Sequence, residues 1–94
     1  FSRATYAPID AADGLSARPD GAALIYPVIA MRKALAHPGS RERLLGAAPL
    51  AAQEQAYSPD RNVPPDAPPC FLLHAEDDNA VPVGNAMAMR DGLK

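Results

Sequence analysis

The stretch CFLLHAEDDNAVPV occupies residues 70–83. Its contiguous apolar start, bounded downstream by turn residues, predicts a short strand buried on both faces, as in a parallel sheet. His74 follows, then the carboxylates Glu76, Asp77 and Asp78, then Val81-Pro82-Val83. An unpaired charge is costly to bury. The acidic cluster is therefore a solvated turn, a metal site or the acid of a catalytic triad. Position alone favours the turn, where Asp is common.

Upstream, AALIYPVI (22–29) is a second apolar run, which Pro27 limits to a strand of five or six residues. Two helices are expected between the strands. SRERLLG (40–46) offers Ser40 as a cap and Gly46 as a stop. PLAAQEQAY (49–57) carries Pro49 at an allowed first-turn position. The proline-rich SPDRNVPPDAPP (58–69) cannot continue a helix. Residues 85–94 place Ala86, Met89, Arg90 and Leu93 near helical spacing, with Gly92 weakening the end. Residues 1–20 read as an irregular lead-in with turns at Asp13-Gly14 and Pro19-Asp20. The order is strand, helical excursion (30–57), strand, helix, which predicts the α/β class with parallel strands. Two such strands need neighbours on both faces and on at least one edge. Residues 1–94 are therefore expected to be part of one larger α/β domain.

The bulk composition agrees. A chain of 94 residues holds one domain at most. Its hydrophobic content is 48%, but much of that is alanine, so a thin core is expected. The net charge of −2 supplies no basic footprint for a nucleic acid, and no basic amphipathic helix suits a membrane surface. No apolar run reaches transmembrane length. The single cysteine, Cys70, excludes an internal disulfide and reads as a small packed residue. The first residue is Phe1 rather than Met, so the native N-terminus is expected upstream. Compartment and oligomeric state stay open.

Ligands of open α/β sheets sit at the carboxyl ends of strands. A carboxylate at Asp78 can there accept from an imidazole N–H, fix its tautomer and stabilise the imidazolium formed in acyl transfer. No His or Cys stands at zinc spacing from Glu76, Asp77 and Asp78, and the loop lacks the calcium-hand pattern, so no metal is expected. His74 reads as a packed strand-end residue and His37, in AHPGS, as a loop residue. A G-x-S-x-G elbow is absent: Ser2, Ser16, Ser40 and Ser58 all lack its glycine-flanked setting. Ser58-Pro59 suggests a turn start. There is no glycine-rich phosphate loop, and no cofactor is implied.

Taken together, Ser58-Pro59, Pro68-Pro69, the apolar strand 71–73, His74-Ala75, Asp78 and Val81-Pro82 resemble a recurring pattern of the α/β-hydrolase superfamily. The likeness is strongest to small serine esterases related to acetylxylan esterase and the BD-FAE group. Residues 17–29 resemble the preceding strand of that group and residues 39–46 its helical excursion, so almost the whole chain is covered. The resemblance implies a fragment of an α/β-hydrolase fold, from its C-terminal half, with residues 30–57 as a lid-like excursion near the substrate pocket. It implies Asp78 as the acid of a Ser-Asp-His triad, Asp77 as its exposed neighbour, and His74 as a residue other than the base. Nucleophile and base are then expected before Phe1 and after Lys94. The implied activity is hydrolysis of short-chain acyl or acetylated-sugar esters. A serine peptidase with the same domain and a non-catalytic hydrolase-fold binding domain are the alternatives. Gly21 and Gly84 depart from the family pattern, at positions that bear on packing and helix start.

Overall fold

A computed structural model describes residues 6–94. Strand β1 (Ala22–Ile25) and strand β2 (Cys70–Leu73) pair in parallel, with Ala22 opposite Cys70 and Ile25 opposite Leu73. Helices α1 (Pro38–Leu45) and α2 (Ala51–Ala56) lie between them, and α3 (Gly84–Leu93) follows β2. Short 3-10 turns occupy Ala11–Gly14 and Pro59–Arg61. The α/β class and the order of elements are as the sequence implies. The strands are shorter than expected. Tyr26 takes φ 50, a left-handed conformation for a non-glycine residue, and Pro27 follows, so β1 stops at Ile25. Its last rung is the Tyr26 amide donating to the Leu73 carbonyl at 2.9 Å.

The strands were expected to need neighbours from outside this segment on both faces, and one face of the sheet is bare among the described residues. Ala22, Leu24, Cys70 and Leu72 are half-buried on one face, but Ala23, Ile25, Phe71 and Leu73 on the other are exposed. Phe71 keeps 60% and Ile25 55% of its surface in contact with solvent. No element among the described residues lies over that face, and a two-stranded sheet has no inner strand.

The capping details differ too. The N-cap of α1 is His37, not Ser40: Nδ1 of His37 accepts from the Ser40 amide at 3.3 Å and lies 2.9 Å from the Ser40 hydroxyl. Pro38 takes the first helical position, where its missing N–H costs nothing. Gly46 closes α1 at φ 86, as its sequence position suggests. Helix α2 begins at Ala51 with Leu50 as N-cap, so Pro49 stands outside it rather than in its first turn.

The core sits beside the sheet rather than in it. Ile29, Ala30, Met31, Ala36 and Ala86 are the buried apolar residues among those described, and three of them are alanine. They join the segment after β1 to the start of α3. Helix α3 packs against β2 and against the Pro59–Arg61 turn. Met89 and Leu93 are half-buried as the helical spacing suggests, whereas Arg90 is exposed and pairs with Asp91. Two charged ties brace this arrangement. Arg41 donates through Nε to the Met31 carbonyl at 2.9 Å and pairs with Glu54 of α2. Arg32 meets the largely buried Asp60 at 3.0 Å.

Candidate active site: the acid loop after β2

Parallel strands direct their carboxyl ends to the same edge of the sheet. Tyr26 and His74 leave the two strands there, with their rings edge to face at a centroid distance of 6.0 Å. The chain then turns through residues 75–82. Asp78 holds this turn together. Its Oδ1 accepts from the amides of Ala80 and Val81, both at 2.9 Å. Its Oδ2 lies 3.4 Å from Nε2 of His74. These contacts answer the charge question. The Val81 amide first, then the Ala80 amide, hold the Asp78 carboxyl below its ordinary pKa, and the nearby His74 ring adds a smaller effect in the same direction. Asp77 and Glu76 are exposed beside it, as expected for Asp77.

His74 is the most enclosed titratable side chain of the loop, at 1% exposure. Its Nε2 lies 2.7 Å from the Val81 carbonyl, while its Nδ1 is buried with no partner among the described residues. His37, as the cap of α1, belongs to a different part of the molecule. Cys70 is half-buried, and its thiol donates to the Pro68 carbonyl at 3.3 Å. Among the described residues no group of three His, Cys, Asp or Glu side chains could hold a metal ion. No helix among them is long and apolar enough to cross a membrane.

Two structural residues were not singled out for what they do. Ser58, read as a turn start, is fully buried: its hydroxyl donates to the Glu54 carbonyl at 2.6 Å and accepts from the Met31 amide at 2.9 Å. Asn85 is also fully buried. Its Oδ1 accepts from the amides of Ile29 and Ala30 at 3.0 and 2.9 Å, and its Nδ2 donates to the carbonyls of Leu35 and Pro82 at 2.6 and 3.0 Å. It thereby joins the acid loop to the segment after β1. The one usable sign was a lone amide next to Ala86 on the apolar stripe of a predicted helix. A separate concavity of about 470 Å³ lies within the excursion, lined by Lys33, Pro38, Arg41 and Glu42 among others. No residue of the acid loop lines it.

The parallel pairing and the crossover through helices define a segment of an α/β fold, and comparison with known proteins finds it in hydrolases. An acetyl ester-xyloside bifunctional hydrolase from Caldicellulosiruptor lactoaceticus matches in structure with a TM-score of 0.76 at 39% identity, over 81% of this chain and 28% of that one. The endo-1,4-beta-xylanase B of Butyrivibrio fibrisolvens is 38% identical over 80 residues, which are 85% of this chain and 12% of that protein. The resemblance to esterase-type hydrolases thus holds in sequence and in fold. The chain spans less than a third of either relative. No family model matches it.

Proposed function

We propose that this segment belongs to a serine-dependent carboxylic ester hydrolase and supplies its triad acid, Asp78. The observation that carries the reading is the state of that carboxylate. Two backbone amides on Oδ1 keep it ionised and fix its direction at the carboxyl end of β2. An oriented carboxylate that is ionised at neutral pH suits the partner of an imidazole base. It does not suit the general acid of a glycosidase, whose carboxyl must hold a proton near neutral pH, although the second carboxylate of such an enzyme is ionised as well. The relatives' names include both ester and xyloside hydrolysis, and the choice of the ester reading rests on the family resemblance.

In the complete enzyme a serine Oγ would attack the ester carbonyl while a histidine takes its proton. That proton then leaves with the alcohol, and water releases the acid from the acyl-enzyme in a second, equivalent round. Asp78 would hold the histidine in the required tautomer, and backbone amides would stabilise the oxyanion. Acetyl esters of xylose-containing sugars are the proposed substrates, on the strength of the structural relative's name. The test is Asp78→Asn in the full-length protein with an acetyl ester. Loss of kcat by about four orders of magnitude is expected, and an unchanged kcat would refute the assignment.

A further inference from the structure

Val81 is held from both sides of its backbone. Its amide donates to Asp78 Oδ1 at 2.9 Å, and its carbonyl faces His74 Nε2 at 2.7 Å. A carbonyl oxygen only accepts, so the ring proton resides on Nε2. The same Nε2 lies 3.4 Å from Asp78 Oδ2. One ring nitrogen therefore meets both ends of the turn: the carboxylate and the peptide that anchors it. The ring is itself fixed. It follows directly on β2, is 1% exposed and stands edge-on to Tyr26. Nothing else among the described residues contacts Oδ2 of Asp78 by hydrogen bond. With Oδ1 occupied twice, Oδ2 is the oxygen left to receive another imidazole.

We propose that His74 is a positioning residue for the acid: its Nε2–H, seated on the Val81 carbonyl with Asp78 Oδ2 3.4 Å from the same nitrogen, fixes the turn and with it the direction in which Asp78 presents that oxygen to the base. The inference rests on the reading of Asp78 as triad acid. It differs from a packing role for His74 in a definite way. A packing role asks only for a flat apolar body in the cavity, whereas this role requires a donor at the position of Nε2.

Three variants of the full-length hydrolase, assayed with p-nitrophenyl acetate, separate these roles. His74→Phe keeps the ring body and removes the donor. His74→Gln places an amide N–H near the position of Nε2. Asp78→Asn tests the underlying reading. The expected result is a fall in kcat of roughly 10- to 100-fold for His74→Phe, the size of a small misplacement of a catalytic group, with KM little changed. His74→Gln should recover most of the lost kcat. Full kcat in His74→Phe, or equal losses in the Phe and Gln variants, would overturn the inference while Asp78→Asn remains inactive. An active Asp78→Asn would overturn the acid assignment and the inference with it. The wild-type protein offers a check that survives any misfolding of the variants. The ¹⁵N spectrum of its labelled histidines should show His74 protonated at Nε2, and a proton at Nδ1 alone would overturn the inference.

Discussion

Asn85 and Leu35 are 50 residues apart in the sequence, and the side-chain amide of one donates to the carbonyl of the other at 2.6 Å. Asn85 makes four such bonds, all to backbone and none to another side chain. Its site has no slack, because the amide uses both acceptor positions and both donors. Replacement by Leu would leave the amides of Ile29 and Ala30 and the carbonyl of Leu35 in a buried setting without partners. Each group so stranded costs about 1–3 kcal/mol. Asn85→Leu is therefore expected to destabilise the full-length protein by about 3 kcal/mol or more, read as a lower urea midpoint. A midpoint equal to wild type would show that the clamp contributes little.

Gly92 is the next testable position. A Cβ there would lie 2.7 Å from the Asp60 carbonyl oxygen and 3.2 Å from a Val63 methyl. Helix propensity alone would make Ala about 1 kcal/mol better than Gly. The clash with backbone outweighs it, since overpacking costs about 1–3 kcal/mol. Gly92→Ala should thus lower the melting temperature. Gly14→Ala, whose Cβ meets nothing within 4 Å, is the control and should leave it unchanged. Equal behaviour of the two variants would contradict the close approach of α3 to the Pro59–Arg61 turn.

The Asp78 carboxyl titrates below its ordinary pKa because the Val81 and Ala80 amides bond to the ionised form. The sign of the linkage follows. A carboxyl with a lowered folded-state pKa contributes stability above the unfolded value, near pH 4, and loses it as pH falls through the folded value. A ¹³C titration of Asp78 should accordingly give a midpoint below that of an unperturbed aspartate. A midpoint at or above pH 4 would mean that the two amide bonds are not formed in solution. Asp13 should behave likewise, held low chiefly by the Tyr6 hydroxyl and then by the Ile9 and Asp10 amides.

The 94 residues made alone should have no esterase activity and should melt without a sharp cooperative transition. The buried apolar residues are few and small, and Ile25, Phe71 and Leu73 are exposed on an unpaired sheet face. Circular dichroism through a thermal ramp, together with an acetyl ester assay, tests this directly. A steep two-state melt would show that the small core beside the sheet suffices.

The sequence made the strands, the crossover and α3 legible because apolar runs and proline punctuation are local signals. Cys70 to Leu73 needed no distant information. The N-cap of α1 was misread because Ser40 is the commoner capping residue, whereas the His37-Pro38 pair carried the usable cue. The bare face of the sheet fits the expected need for neighbours, because a contiguous apolar run implies cover without saying what supplies it. Asp78 stood out by its place after the strand and by resemblance. The bonds that orient it come from its own turn and from His74, and side-chain geometry of that kind leaves no trace in spacing. Asn85 offered only its place beside Ala86 and Ser58 only a turn start, since each also bonds backbone far away in the chain.

The pairing of β1 with β2 also bears on the order in which the molecule assembles. Every rung joins residues separated by about half the chain, from Ala22 with Cys70 to Ile25 with Leu73. Contacts of such separation form only after a long loop has closed, and they slow folding. On a ribosome, β1 would emerge and wait, with its β2 edge unpaired, until the proline-rich connector and β2 had followed. During that interval the helical excursion is the part able to organise through short-range contacts, with the Arg41–Glu54 pair already within reach. Within residues 6–94 the two helices would then order first, and the β1–β2 pairing would come last.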